Sequence, residues 1–152
     1  MEIRLGNPYP AGALSNLAPH PFTFRGVECG SMEGLLQGVK FEAVEMQKHV
    51  CSLAGHKARL AGKNKNWFTT QTLWWQGEAI NRQSDEYQEL ITKAYDTMFK
   101  QSDSFRRALT ASGDSNLTHK MGRNKPAETV LTTQEFISRL NACRKKLKAK
   151  LF

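Results

Sequence analysis

Apolar residues recur every three or four positions in several stretches of the chain, and this spacing predicts a mainly helical protein. The clearest stretch runs from Tyr87 to Phe99 and follows Ser84, a suitable helix N-cap. A further helix around residues 105–109 is predicted to stop by Gly113. The last helix opens with a capping box at residues 132–135. Its buried side is predicted to carry Phe136, Ile137, Leu140 and Leu147.

The stretch from Ser31 to Phe41 predicts an earlier helix with three distinct sides. One side is apolar and carries Met32, Leu35, Leu36 and Val39. Beside it, Glu33, Gln37 and Lys40 are spaced so that an acid, an amide and an amine lie on one line. These three side chains are candidates for one wall of an active site. The alternative interpretation is a polar helix face that is exposed to solvent.

Two glycines lie on the third side of the same predicted helix. Gly34 and Gly38 are four residues apart. A glycine lowers the stability of an exposed helix by about 1 kcal/mol relative to alanine. Two of them in one short helix therefore indicate close approach by a backbone or a ligand.

A second helix is predicted from Glu45 to Ala54, with Gly55 as its stop. Its buried face is predicted to carry Met46, Val50, Leu53 and Ala54. A short helical piece from His56 to Ala61 should follow and end at Gly62.

Two short hairpins complete the predicted elements. Residues 22–24 and 27–29 can pair through an Arg-Gly turn, and residues 73–75 and 78–80 through a Gln-Gly turn. Because neighbouring strand residues face opposite ways, at least one of Trp74 and Trp75 should lie in the core. The expected fold class is mainly α, a compact single domain over residues 1–152 with a few short β-strands.

Composition narrows the class of protein. The chain has 39% hydrophobic and 24% charged residues, which suits an ordinary soluble domain. No 18-residue apolar run and no N-terminal apolar segment are present, so we expect no membrane association and a cytoplasmic location. The chain has three cysteines and no Cys-x-x-Cys pair, which indicates reduced thiols. The four histidines have no metal-ligand spacing, so we expect no metal and no cofactor.

The net charge of +8 favours polyanionic partners such as nucleic acids, nucleotides or phosphates. A basic run near the C-terminus supplies part of this charge, and it could equally complement a helix dipole or aid solubility. This run contains Arg144, Lys145, Lys146, Lys148 and Lys150.

Residues 117–129 form a polar connection between two predicted helices. The segment contains His119 and Gly122, several donor-bearing side chains and little apolar material. Such a loop suits an anionic ligand, although a solvated connection has the same composition.

The first third of the chain resembles the NADAR superfamily of YbiA-like proteins. The resemblance rests on a Ser-Asn pair before an apolar residue, a Pro-Phe strand, a glycine turn, and Ser-x-Glu with Gln-x-x-Lys-Phe on the first long helix. In this chain these are Leu14-Ser15-Asn16-Leu17, Pro21-Phe22, Gly26, Ser31-x-Glu33 and Gln37-x-x-Lys40-Phe41. Many relatives carry an Asp-x-x-Trp-Gly segment in the last third. This chain has Leu117-Thr118-His119-x-x-Gly122 and residues 128–132 instead, as in a variant branch with a divergent C-terminal third.

The resemblance implies a compact, mainly helical fold and an N-glycosidase activity on ribose-linked substrates. In the family the helix lysine is proposed to form a Schiff base with the opened ribose, assisted by the helix glutamate. Carried over to this chain, these residues are Lys40 and Glu33. A lysine amine can add to an opened aldehyde if burial or neighbours lower its pKa, and a nearby carboxyl can move the proton.

The same resemblance suggests residues that bind the substrate. Gln37 could hold a ribose hydroxyl, Asn16 could contact ribose or base, and Trp67 could stack on a base. In the divergent segment, Thr118, His119 and Gly122 are candidates for phosphate or ribose contacts.

The expected function is removal of ADP-ribose from guanine in nucleic acid. Family members that cleave riboflavin-pathway intermediates suggest an alternative, a glycosidase for a small ribosylated substrate. A non-catalytic nucleotide or nucleic-acid binding module is the alternative from another class. The expected partner is therefore ADP-ribosylated nucleic acid or a small ribosylated molecule, and the sequence does not fix the oligomeric state.

Overall fold

A computed structural model describes residues 1–149. Its helices are α1 (Met32–Gly38), α2 (Val44–Cys51), α3 (Gly55–Ala61), α4 (Asp85–Gln101), α5 (Asp103–Ser112) and α6 (Thr133–Ala149). Its strands are β1 (Phe22–Phe24), β2 (Val27–Cys29), β3 (Thr72–Trp75) and β4 (Glu78–Asn81). Residues 12–14 and 67–69 form single 3₁₀ turns. The mainly helical fold class with a few short strands is confirmed, and Lys150 of the basic run lies outside the described residues.

The core forms around α4, the helix with the clearest apolar spacing. Ser84 caps it by accepting a hydrogen bond from the Tyr87 amide at 3.1 Å, as predicted. Its buried residues are Tyr87, Leu90, Ile91, Ala94, Tyr95, Met98 and Phe99, the same set that the spacing predicts. The helix thus places Tyr87 and Tyr95 inside the protein, where both contribute hydrogen bonds to the candidate site described below.

Both hairpins pair as predicted. β1 and β2 are antiparallel with Phe24 opposite Val27, and β3 and β4 are antiparallel with Trp75 opposite Glu78. Each turn has two residues with positive φ, in the second hairpin Gln76 at 50° and Gly77 at 86°. This is the conformation that matches the twist of the flanking strands. Trp75 is buried, and Trp74 is partly exposed on the other face.

The prediction for α2 was wrong in its limits and its buried face. The helix ends at Cys51, and Gly55, with φ of 63°, opens α3 rather than stopping α2. Met46 is 48% exposed, and the buried residues are Gln47, Val50 and Cys51. The helix turns a polar side chain inward because the Gln47 amide binds backbone groups of neighbouring segments.

The two glycines of α1 do allow a backbone to approach closely, as the sequence indicates. A Cβ on Gly34 would lie 2.4 Å from the Cys51 carbonyl oxygen, and one on Gly38 would lie 2.5 Å from Cys51 Sγ. Only glycine leaves enough room at these two positions for the C-terminal end of α2. Ser31 caps α1 as predicted, accepting a hydrogen bond from the Gly34 amide at 3.0 Å.

Candidate active site

A cavity of about 890 Å³ opens between α1, α3, the N-terminal segment and residues 119–132. Its size lies within the range typical of small-molecule sites, which is roughly 300–1,000 Å³. Seven of the eight residues proposed from the sequence line it: Asn16, Glu33, Gln37, Lys40, Trp67, His119 and Gly122. The fold therefore brings together residues that are more than 100 positions apart in the chain.

Glu33 and Gln37 lie on successive turns of α1 and are joined by a hydrogen bond. The Gln37 Nε2 donates to the Glu33 carboxylate at 2.7 Å. Glu33 is half-buried and Gln37 is buried. The bond fixes the Gln37 amide so that its nitrogen faces Glu33 and its Oε1 points elsewhere.

Lys40 was predicted on the helix, but it lies just after it, because α1 ends at Gly38. Just after the helix end, the Val39 carbonyl accepts a hydrogen bond from the Trp74 amide of β3 at 2.7 Å, a contact between distant segments. The Lys40 amide still donates to the Gln37 carbonyl at 3.1 Å. This last turn keeps the Lys40 side chain on the cavity wall next to Glu33 and Gln37.

Burial lowers the pKa of the Lys40 ammonium, and the nearby Glu33 carboxylate raises it by a smaller amount, so that the net shift is downward. The Lys40 Nζ also donates to the Gly62 carbonyl at 3.4 Å. A lowered pKa increases the fraction of neutral amine near neutral pH, and the neutral amine is the form that can attack a carbon. Lys40 therefore has the electrostatic environment of a nucleophile.

Gly62 is a site residue that sequence reasoning missed. A Cβ at this position would lie 2.3 Å from Gln37 Oε1 and 2.9 Å from Lys40 Cδ. The glycine thus makes room for two side chains of the site. The only signal in the sequence is its place at the end of α3, which a helix C-cap explains equally well.

Gln37 Oε1 has less than 1 Å² of exposed surface and no hydrogen-bond partner within residues 1–149. A buried acceptor without a partner is unfavourable by about 1–3 kcal/mol. The oxygen faces Gly62 and is closed to the cavity, so this cost belongs to the packing between α1 and the end of α3.

Asn16 and Trp67 line the cavity from outside α1. The Asn16 Oδ1 accepts a hydrogen bond from the Tyr95 hydroxyl at 2.6 Å, which leaves the amide NH₂ as the available donor. Trp67 is 7% exposed and packs edge-on against Phe68, with ring centroids 6.4 Å apart. Most of the Trp67 ring therefore belongs to the core, and a small part of it lines the cavity.

The divergent segment contributes His119 and Gly122 to the cavity, but not Thr118. The Thr118 hydroxyl donates to the Glu2 carboxylate at 2.7 Å. The His119 Nδ1 lies 2.8 Å from the Ile3 carbonyl oxygen, so this ring nitrogen is engaged with the backbone. A Cβ on Gly122 would lie 2.0 Å from Thr133 Oγ1, which explains the glycine by packing.

An ion pair between the buried Arg82 and the partly buried Glu135 supports another wall of the cavity, and it could not be predicted from the sequence. The fully buried Arg82 binds Glu135 at 2.7 and 3.2 Å. Its Nε donates to the Thr129 carbonyl at 2.9 Å, and the Tyr87 hydroxyl donates to the Val130 carbonyl. These bonds hold the backbone of two residues that line the cavity.

Four further cations line the cavity that sequence reasoning did not single out. They are Arg4, Arg59, Lys63 and Arg123, and all four are exposed. Together with Lys40 they outnumber the two carboxylates of the wall, Glu33 and Glu128. The cavity is therefore electropositive and suits an anionic ligand. Within residues 1–149, no group of three His, Cys, Asp or Glu side chains is arranged to hold a metal ion.

The fold is a NADAR/YbiA-like fold. The solution structure of E. coli YbiA matches with a TM-score of 0.61 and 15% identity, over 97% of this chain and 83% of that one. Residues 8–145 match the family of bacteriophage protein GP30.3, and the chain belongs to this family. It is 38% identical to the uncharacterized 17.1 kDa protein in the Gp30–rIII intergenic region of Enterobacteria phage T4, over 97% of this chain and 98% of that protein. No helix within residues 1–149 is long and apolar enough to cross a membrane.

Proposed function

We propose that this protein is an N-glycosidase that removes ADP-ribose from guanine in nucleic acid, with Lys40 as nucleophile and Glu33 as proton carrier. The observation that carries the proposal is the half-buried Lys40, whose pKa is lowered by burial, beside Glu33 in the electropositive cavity. A binding module has no need of a lysine with a lowered pKa next to a carboxylate. The NADAR/YbiA-like fold supports the same class of reaction.

The proposed reaction begins with the opened ribose, in which C1 is joined by a double bond to the guanine nitrogen. This nitrogen keeps its hydrogen and carries a positive charge, so that C1 is an iminium carbon. The neutral Lys40 Nζ adds to C1 and gives a proton to the Glu33 carboxylate. Glu33 returns this proton to the guanine nitrogen. The bond from C1 to that nitrogen then breaks, and its electron pair leaves with guanine. Water hydrolyses the remaining bond between C1 and Nζ, which releases ADP-ribose and restores the free amine.

The other residues of the cavity hold the substrate in this proposal. Gln37, which lines the cavity, holds a ribose hydroxyl. The Asn16 amide NH₂ donates to ribose or base, since Tyr95 occupies its oxygen. The exposed cations of the cavity interact with phosphates.

The test is to incubate the protein with DNA that carries ADP-ribose on guanine, add borohydride, and measure intact mass. Borohydride reduces a Schiff base to a stable amine, so we expect an adduct of ADP-ribose mass on the wild type. Lys40→Ala should give no adduct and no turnover. Glu33→Gln should lower turnover by roughly 100- to 10,000-fold, the usual contribution of a general acid–base group.

Lys48→Ala is the matched control, because Lys48 is half-exposed, pairs with Glu45 at 3.7 Å and lies outside the cavity. It should keep wild-type turnover and adduct. Circular dichroism should show that every variant folds. Turnover by folded Lys40→Ala at the wild-type rate would refute the lysine mechanism. Cleavage of a riboflavin precursor but not of the DNA would mean that the protein is an N-glycosidase with a different substrate. No turnover of either substrate would favour a non-catalytic binding module.

A further inference from the structure

The exposed cations of the cavity lie apart from the ion pairs of the described residues 1–149. Among residues 1–149, the lysines and arginines in ion pairs are Lys48, Arg82, Lys93, Arg106, Arg107, Lys146 and Lys148. None of them lines the cavity. The side chains of Arg4, Arg59, Lys63 and Arg123 make no ion pair or hydrogen bond with this part of the chain. They are therefore available to an external anion without the breaking of an internal contact.

Exposed apolar side chains lie among these cations. Leu60 is 59% exposed and Met121 is 54% exposed, and both line the cavity. Leu60 follows Arg59 on α3, and Met121 lies two residues before Arg123 in the segment after His119. Two separate parts of the wall thus repeat one arrangement, an exposed apolar side chain beside an unpaired cation.

This arrangement distinguishes between the two forms of a nucleic acid. A duplex presents phosphates and groove edges, and its base faces are stacked inside, so exposed leucine and methionine side chains gain little from it. A single strand presents phosphates and free base faces together, and proteins that bind single strands combine a cationic groove with side chains that contact the base faces, most often aromatic ones. Leucine and methionine offer an apolar surface to the same faces. Enzymes that act on a base reach it in a single strand or take it out of the stack.

We infer that the cavity mouth binds a single-stranded polynucleotide, with bases against Leu60 and Met121 and phosphates against Arg4, Arg59, Lys63 and Arg123. This inference rests on the proposed function in that it names the form of nucleic acid the same site takes. The unmodified strand makes these contacts itself, so its binding needs no ADP-ribose and no turnover.

The test measures binding of a fluorescent, unmodified 12-nucleotide strand by anisotropy, with the matching duplex as competitor. We expect the single strand to bind at least tenfold more tightly than the duplex. If each of the four cations contacts one phosphate, the logarithm of affinity should fall with the logarithm of salt concentration with a slope of about −2.8. Strands of DNA and RNA with one sequence are compared, and the tighter of the two identifies the natural source.

The variants separate the apolar contacts from the ionic ones. Leu60→Ser with Met121→Ser should weaken single-strand binding about tenfold, without a change in salt slope. Arg59→Ala should weaken binding and reduce the slope by about 0.7. Met46→Ser and Lys57→Ala are the matched controls, because Met46 is 48% exposed, Lys57 is exposed on α3, and neither lines the cavity.

Duplex binding as tight as single-strand binding would overturn the inference. So would an effect of the Leu60 and Met121 changes no larger than that of Met46→Ser. The borohydride experiment is independent of these measurements. Single-strand binding without an adduct would refute the proposed reaction and retain the inference. An adduct formed equally on single-stranded and duplex DNA, with equal binding of the two, would support the reaction and refute the inference.

Discussion

At the scale of single residues, Lys40 is governed by two opposed effects. Burial lowers the pKa of its ammonium group, and the Glu33 carboxylate raises it in part by stabilising the charged form. Glu33→Gln removes the carboxylate charge and leaves the burial. We therefore expect the pKa of Lys40 to fall further in this variant, although the variant is a poorer catalyst.

The measurement is an NMR titration of the Lys40 ¹³Cε resonance in the wild type and in Glu33→Gln. Its midpoint should lie at lower pH in the variant. Glu42→Gln is the control, because Glu42 is exposed and lies two residues from Lys40. The shift in the pKa of Lys40 comes from burial and Glu33, and Glu42 is not among its causes. An unchanged or higher midpoint in Glu33→Gln would mean that the two side chains are not coupled as described.

The spacing of Glu33, Gln37 and Lys40 could be predicted from the sequence because the three residues are close in the chain, and local periodicity decides which side they share. The lack of a hydrogen-bond partner for Gln37 Oε1 within residues 1–149 could not be predicted in this way. It depends on Gly62, whose missing side chain leaves space for the Gln37 and Lys40 side chains. Such an approach between distant segments leaves no periodic signal.

At the scale of elements, α2 is a helix whose buried face could not be predicted correctly from the spacing of apolar residues. The Gln47 Nε2 donates to the carbonyls of Gly38 at 3.0 Å and Trp74 at 2.9 Å, and its Oε1 accepts from the Gln76 amide at 2.8 Å. These bonds connect α2 to the end of α1 and to the second hairpin. A pattern that assigns polar residues to the surface places Met46 inside instead. Satisfied buried amides are the exception that hydropathy alone misses.

The partly buried carboxylate of Glu135 joins α6 to the cavity wall, and its loss should be destabilising. Glu135 binds Arg82, accepts from the Thr132 amide at 2.7 Å in the capping box, and accepts from Gln88 at 2.6 Å. Glu135→Ala leaves the Arg82 guanidinium buried without its counter-ion. We expect the free energy of unfolding, measured with urea, to fall by about 3–5 kcal/mol.

The control for this prediction is Glu89→Ala, which breaks the exposed pair between Glu89 and Lys93. It should lower the free energy of unfolding by less than about 1 kcal/mol. Burial raises the pKa of Glu135, but hydrogen bonds from Thr132, Gln88 and Arg82 together bring it below its ordinary value. The stabilisation that Glu135 gives the wild type is therefore complete above the ordinary pKa of glutamate. It is lost as the pH falls through the lower pKa that Glu135 has in the folded protein. Equal losses in the two variants would contradict this account.

At the scale of the whole molecule, the cavity joins segments from both ends of the described chain. The Ile3 amide donates to the Thr118 carbonyl at 2.7 Å, and the Thr118 amide donates to the Met1 carbonyl at 2.9 Å. The family resemblance could be predicted from residues 14–41, which contribute the reactive pair. The opposite wall could not, because Arg4 and Arg123 are brought to the cavity by contacts between residues more than 100 positions apart. Thr118, expected at the ligand, is part of this connection instead.

Glu2 is central to this connection, and its charge should control the segment after Thr118. The Glu2 carboxylate accepts from the Thr118 hydroxyl and from the Lys120 amide, both at 2.7 Å, and these bonds lower its pKa. Glu2→Gln replaces one acceptor oxygen by a donor that cannot pair with the Lys120 amide. We therefore expect faster hydrogen exchange at Lys120 and weaker binding of ADP-ribose. In the wild type the protection factor of the Lys120 amide, which corrects the exchange rate for the intrinsic effect of pH, should fall only as the pH falls through the lowered pKa of Glu2. Glu28→Gln, on the exposed face of β2, should change neither measurement, and unaltered exchange at Lys120 in Glu2→Gln would show that the carboxylate does not hold this wall.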